Sequence, residues 1–308
     1  MGEMEQASFR HEALIYGDEE DFLAGTVPFV RGALETGEPT LVAVGQANTA
    51  LLEGELGAEA TDVRFVDMEK LGRNPARIIP FWREFVDEHG GRAVRGIGEP
   101  VWPGRKFVEI DECQRHESLL NVAFGGTPAW SLLCPYDGGS LEDEVLEKVA
   151  GSHHLLACDG TEEESASFVA ETNCFAGDLP GHPLDVAAFE FDRARLAEVR
   201  SRVERAAEHA GVPSQNAADL VVAASELTAN SVLHGGGAGT CRVWREDNRL
   251  LVEVEDRGLI EEPLVGRQTP QPTQEGGRGL WLANQLCDLV QVRSGSHGTT
   301  VRLHMAID

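Results

Sequence analysis

Glu226 and Asn230 are the residues of this sequence whose types and spacing are best suited to chemistry. They lie in Ser225-Glu226-Leu227-Thr228-Ala229-Asn230-Ser231-Val232-Leu233-His234, an apolar helical pattern that runs straight into Gly235-Gly236-Gly237. Residues four apart share one helical face, so a carboxylate and an amide point into the same space, a candidate active site. Three glycine-marked stretches follow: Asp256-Arg257-Gly258, Gly276-Gly277-Arg278-Gly279-Leu280 and Gly298-Thr299-Thr300. A glycine-rich turn that opens a helix exposes backbone N–H groups to anions, and the helix dipole favours phosphate there.

The elements that must position these residues can be read from periodicity. Phe189–Phe191 reads as an edge strand, and Asp192–Ala210 as a helix carrying Leu196, Val199, Val203 and Ala207, stopped by Gly211 and Pro213. Ser214 is the expected N-cap of the helix that runs to Leu233. Two strands, Cys241–Arg245 and Leu250–Asp256, are joined by a turn, and period-2 parity puts Asp256 on the Leu250/Val252/Val254 face. If that apolar face looks toward the helices, Asp256 is a carboxylate aimed into the domain beside Gly258. A polar loop from Leu259 to Glu275, a helix Trp281–Cys287 and a hairpin of Leu289–Arg293 with Thr300–Met305 complete this half.

In the first half, short apolar runs alternate with amphipathic stretches, the pattern of an α/β domain. Strands are expected at Ala13–Tyr16, Thr40–Val44, Val63–Asp67, Ala93–Ile97 and Ala129–Cys134, the last stopping at Cys134-Pro135-Tyr136-Asp137. Helices are expected at Asp21–Leu34, Pro75–His89, Ile110–Phe124 and Leu141–Ala150. The loop Gly45-Gln46-Ala47-Asn48-Thr49 lacks the pattern that cradles phosphates, and no nucleotide motif is visible here. Cys113, His116 and Glu117 share a helical face and could ligate a metal, but they read as a solvated flank plus a buried thiol, and no metal is assigned to them. Glycine and proline density from Gly160 to Asp185 marks a linker, with a domain boundary near residue 177. The expected division is residues 1–160, a linker at 161–187, and residues 188–308.

Composition excludes several function classes. With 26 Lys+Arg against 52 Asp+Glu, the formal charge of −26 would repel a phosphate backbone, so direct nucleic-acid binding is not expected. Six cysteines, Cys113, Cys134, Cys158, Cys174, Cys241 and Cys287, form no C-x-x-C pair and read mostly as buried thiols of a reducing compartment. The polar N-terminus MGEMEQASFRHE and the lack of a long apolar run predict a soluble, cytoplasmic protein without membrane contact.

In order and spacing, the motifs of residues 189–305 resemble the ATP-binding Bergerat fold of the GHKL superfamily, most closely anti-sigma-factor serine kinases of the RsbW and SpoIIAB type. The resemblance implies ATP with Mg²⁺. Glu226 would be the general base, and Asn230 would bind Mg²⁺ bridging the phosphates. Asp256 would accept a hydrogen bond from the adenine amino group, with Gly258 giving the purine room and Thr299 nearby. Gly277, Arg278 and Gly279 would cover the phosphates. Ile260 departs from the pattern, standing where the superfamily has a second glycine, which puts lid mobility in doubt.

The implied partners are a sigma factor and a STAS-type anti-sigma antagonist, and relatives commonly form homodimers. Residues 9–155 resemble the MEDS sensory domain, on Arg10-His11-Glu12-Ala13-Leu14-Ile15-Tyr16, Gly96-Ile97-Gly98-Glu99 and Cys134-Pro135-Tyr136-Asp137, its ligand unread. The implied fold is therefore an N-terminal RecA-like three-layer α/β/α domain followed by a C-terminal GHKL α/β two-layer sandwich. Two other readings remain: a nucleotide-binding partner switch without catalysis, and a sensor histidine kinase. The latter needs a two-helix dimerisation element, and only one long helix, Asp192–Ala210, precedes the pocket.

Overall fold

Residues 9–127, 129–158, 161–169, 173–271 and 277–307 are described by the computed structural model. The chain divides into two compact units, residues 1–172 and 173–308. In chain order the first holds β1 (Arg10–Tyr16), α1 (Glu19–Thr36), β2 (Thr40–Val44), α2 (Gln46–Leu56), β3 (Arg64–Asp67) and α3 (Met68–Leu71). It continues with α4 (Ile78–Glu88), β4 (Val94–Gly98), α5 (Phe107–Phe124), β5 (Trp130–Asp137), α6 (Asp143–Ser152), β6 (Leu155–Cys158) and β7 (Thr161–Glu164). The second holds β8 (Phe189–Asp192), α7 (Leu196–Ala210), α8 (Ser214–His234), β9 (Ala238–Glu246), β10 (Arg249–Asp256), α9 (Arg278–Leu286), β11 (Leu289–Gly295) and β12 (Gly298–Ala306).

The first unit is a sheet of order β3-β2-β4-β5-β1-β6-β7, parallel except for β7, which pairs antiparallel with β6. All five residues of β2 are buried, as expected of a central parallel strand covered on both faces. One face packs Leu14, Val42, Ile97 and Leu133 against Phe22, Val30 and Leu52 from α1 and α2. The other carries Trp130, which packs at a tilt against Trp82 of α4 and Phe124 of α5. Helix α1 starts where the Asp18 side chain accepts from the N–H groups of Glu20 and Asp21, and ends at Gly37 in the left-handed region.

Three local expectations are corrected. Strand β5 does not stop at Cys134: it pairs with β1 as far as Asp137, whereas its pairing with β4 ends at Leu133. Beyond Leu133 it has one partner, and a proline is tolerated there. Gly45 does not open a loop but caps α2, and its N–H donates to Glu99 Oε2 at 3.1 Å. Glu99 is buried, also accepts from Asn48 and Tyr16, and burial holds its carboxyl above the usual carboxylate range. A carboxylate therefore stands at the helix N-terminus where a phosphate-binding module would receive an anion. Finally, Ser214 is the first residue of α8 rather than its cap; Pro213 precedes it in extended conformation, and its fixed φ prepares the turn.

The second unit is an antiparallel sheet of order β11-β12-β10-β9-β8, with α7, α8 and α9 on one face. Leu250, Val252 and Val254 join Val203, Leu220, Leu227, Leu280 and Ala283 in one apolar cluster, so the parity expected for β10 holds. The opposite face carries Glu253, buried, which accepts from Arg302 Nε at 3.0 Å and from Arg242 at 3.4 Å. Arg302 also donates to Pro180 O at 2.8 Å. Among the described residues no helix is long and apolar enough to cross a membrane.

Candidate functional site

Helix α8 ends in Gly235, and Gly235 lies against Asp256, the last residue of β10: a Cβ on Gly235 would overlap the Asp256 carboxyl group. Asp256 Oδ1 accepts from the Gly258 N–H at 2.7 Å, which fixes the carboxylate rotamer. Asp256 pairs with Thr299 of β12 in register. The Thr299 hydroxyl donates to Gly258 O at 2.9 Å and stands 2.7 Å from Ser294 Oγ, which accepts from the Ile260 N–H at 2.8 Å. This chain of bonds ties the segment after Asp256 to β11 and β12. Gly298 turns the hairpin at φ 117°, a region that disfavours side chains, and a Cβ there would overlap Asp256 O.

The other half of the site is the contact of α8 with α9. Gly279, in the first turn of α9, lies flat on the face of α8 that carries the expected pair: a Cβ there would come 2.8 Å from Asn230 Nδ2 and 3.1 Å from Glu226 Oε2. With no side chain at Gly279, the start of α9 sits here without displacing either polar group. Gly277 caps α9 at φ 73°, and Arg278 donates to Gln271 O at 3.3 Å. Gly276 lies outside the described residues. The loop before it is tied back to α9 where Asn284 Nδ2 donates to Gly266 O at 2.9 Å.

The structure thus gathers Glu226, Asn230 and Gly279 at one place and Asp256, Gly258 and Thr299 at another, joined by the last turn of α8. A cavity of about 1230 Å³ opens at the strand ends; Gly235, Asp256, Gly298 and Thr299 line it, and Glu226 and Asn230 do not. Two contributors escape sequence reasoning. Ser294 is an ordinary strand serine until its partners are known, and Gly235 is the first of three like residues, so only contact with Asp256 singles it out.

Residues 10–154 match the MEDS family, the MEthanogen/methylotroph, DcmR Sensory domain. Residues 189–305 match the histidine kinase-like ATPase domain family. The chain joins a MEDS domain to a histidine kinase-like ATPase domain. Among solved structures it is similar to the RsbU and RsbW domains of Rv1364c from Mycobacterium tuberculosis, with 22% identity and a TM-score of 0.30 over 39% of this chain. The match spans 32% of that chain, about a third of its length. A search of curated proteins finds no match.

In the MEDS domain the polar residues of α5 depart from expectation. Cys113 is a buried thiol, as expected, but His116 and Glu117 do not lie on a solvated flank; both are buried. The Cys113 thiol donates to Pro100 O at 3.2 Å. Glu117 instead meets His11 and His153, brought from β1 and from the end of α6. Among the described residues, Cys113, Cys134, Cys174, Cys241 and Cys287 are buried thiols outside any disulfide, as expected; the side chain of Cys158 lies outside the described residues.

Proposed function

We propose that this chain is an ATP- and Mg²⁺-dependent anti-sigma regulatory factor, a serine/threonine protein kinase that phosphorylates a STAS-type anti-sigma antagonist, binds a sigma factor, and is gated by its MEDS domain. The observation that carries the reading is the seat of Gly279 on Glu226 and Asn230: a glycine-rich helix start faces a carboxylate and an amide on one helical face. Orphan donors at the start of α9 suit an anion. Asp256, held by the Gly258 N–H, keeps its second oxygen to accept from an exocyclic amine.

ATP with Mg²⁺ supplies the transferable phosphoryl group and the counter-charge for it. Asn230 would hold the metal with the phosphates, while Gly277, Arg278 and Gly279 cover them. Asp256 would select adenine, Gly258 would admit the ring, and Thr299 would keep Gly258 in place through its carbonyl. Glu226 would take the proton of the attacking hydroxyl, a task in which a positioned base contributes roughly 10²–10⁴ in rate.

The test is transfer of the γ-phosphate to a co-encoded antagonist. Glu226→Ala is expected to lower the rate at least about 100-fold while ATP affinity, measured by calorimetry, stays within about threefold of wild type. Equal transfer by both proteins would remove Glu226 as the base. Wild-type ATP binding with no transfer to any candidate would leave a nucleotide-bound partner switch.

A further inference from the structure

We propose that His11, Glu117, Cys134 and His153 form a closed, four-coordinate site for a divalent transition metal of the Zn²⁺ type inside the MEDS domain. All four are buried, and their donor atoms lie within 4.8 Å of one another. They come from four places in the chain. His11 of β1 and Cys134 of β5 are diagonal neighbours on one sheet face, since Ala13 and Cys134 are in register. Glu117 comes down from α5, and His153 caps the end of α6.

The outer hydrogen bonds decide which ring nitrogens face the centre. Asn121 donates from Nδ2 to Ser152 O at 2.7 Å, which turns its Oδ1 toward His11 Nδ1 at 3.1 Å. His153 Nδ1 lies 2.9 Å from Val149 O, a group that can only accept. Both rings therefore carry their proton on Nδ1, and both Nε2 lone pairs point inward, the tautomer that outer-shell acceptors impose on metal-bound histidines. The Glu117 carboxylate then confronts both Nε2 atoms as an acceptor, while the Cys134 thiol is within reach of the His11 lone pair. His11 Nε2 is 3.2 Å and His153 Nε2 is 3.0 Å from Glu117 Oε2, and Cys134 Sγ is 3.5 Å from His11 Nε2. Among the described residues, neither Glu117 oxygen nor His153 Nε2 has a partner of hydrogen-bond geometry.

Lone pairs this close need a positive centre between them, either a metal ion or a shared proton, and the donor set favours a metal. In a tetrahedral Zn²⁺ shell, bond lengths near 2.1 Å for N and O and 2.3 Å for S give edges of about 3.4 Å between N and O and about 3.6 Å between S and N. The three edges given above, 3.0, 3.2 and 3.5 Å, lie close to those values, and all four donor atoms stay within 4.8 Å of one another. One carboxylate and one thiolate with two neutral imidazoles also offset a double positive charge, so the filled site is neutral, as a fully buried site requires. Tyr136, two residues beyond Cys134 on the same face of β5, is buried beside the cluster with its ring edge-on to His153. The site is independent of the ATPase reading.

The experiment uses the full chain, purified without metal-affinity resin or chelator. Elemental analysis should find close to one Zn²⁺ per chain. Cobalt(II) titrated into the chelated and dialysed protein should give the intense visible bands of tetrahedral coordination and a thiolate-to-cobalt charge-transfer band. Cys134→Ser should abolish the charge-transfer band, and Cys134→Ser and His153→Gln should each weaken cobalt binding by about 100-fold. A folded wild-type chain that carries no metal and binds neither Zn²⁺ nor Co²⁺ would overturn the proposal and leave a proton-sharing His–Glu–His cluster. Persistence of the charge-transfer band in Cys134→Ser would overturn it as well. The wild-type measurements decide the matter even where a variant does not fold.

Discussion

Gly235 has backbone angles of φ −95° and ψ 20°, which any residue adopts, yet a methyl group on it would overlap the carboxyl of Asp256. Its side chain is therefore excluded by one neighbour and not by its own conformation. Gly235→Ala should leave the fold intact and turn Asp256 away from the position that the Gly258 N–H holds. Calorimetric affinity for ATP should fall about tenfold, equivalent to ~1.4 kcal/mol, with little change in unfolding temperature. Wild-type affinity in this variant would detach Asp256 from nucleotide recognition. The contrast is Gly298, whose positive φ and contact with the Asp256 carbonyl make any side chain a cost to the fold itself. At Glu226 the prediction concerns rate alone, because that carboxylate is assigned to the hydroxyl proton and not to holding the nucleotide.

Strand β10 presents Leu250, Val252 and Val254 to the helices and, on the other face, a carboxylate at Glu253 that is just as buried. Removing one partner of a buried ion pair strands the other charge, whereas replacing both removes the desolvation cost with the attraction. Glu253→Ala should destabilise the ATPase domain by about 3 kcal/mol in denaturant unfolding, and the double change Glu253→Leu with Arg302→Leu should lie within about 1 kcal/mol of wild type. Comparable losses in both would place the stabilisation in the Arg302 bond to Pro180 O instead. The same strand shows what could be read beforehand. Period-2 alternation was enough to orient Asp256, because it depends only on the pleat and on one apolar face. It could not place Glu253, since a charged residue opposite an apolar face reads as solvated until Arg302 and Arg242 are known to meet it. Helix α5 is legible as a helix, but the burial of Glu117 is not, because the partners it turns toward, His11 and His153, are distant in sequence. Helix α2 was missed because its weakly apolar sequence, QANTALLEGEL, carries no side-chain cap, and its first N–H contact is Glu99, from beyond β4. Pairings local in sequence were legible; those that close a buried polar site across strands were not.

At the level of the whole chain, the metal centre proposed in one domain and the nucleotide site proposed in the other make gating a measurable quantity. If the MEDS domain controls the ATPase domain through its His11–Glu117–Cys134–His153 cluster, the state of that cluster must change the free energy of binding ATP, and by linkage ATP must change the affinity of the cluster for its metal by the same factor. A coupling of about 1 kcal/mol corresponds to a fivefold change, within reach of calorimetry. Full-length protein loaded with Zn²⁺ and protein stripped by chelation, dialysed and resupplied with Mg²⁺ should therefore bind ATP with affinities at least about fivefold apart. Cys134→Ser should behave as the stripped protein whether or not Zn²⁺ is added. Reciprocity supplies the internal control, because a true coupling appears as an equal shift in Co²⁺ affinity when ATP is present. Equal ATP affinities in the loaded and stripped chains would mean that the cluster stabilises the MEDS domain without informing its neighbour, and any signal that gates the ATPase domain would have to enter elsewhere. The charge of −26 bears on the same experiment: at low ionic strength it concentrates free cations near the whole surface, so the comparison belongs at about 0.15 M salt, where the screening length is about 8 Å and only the buried site retains its selectivity.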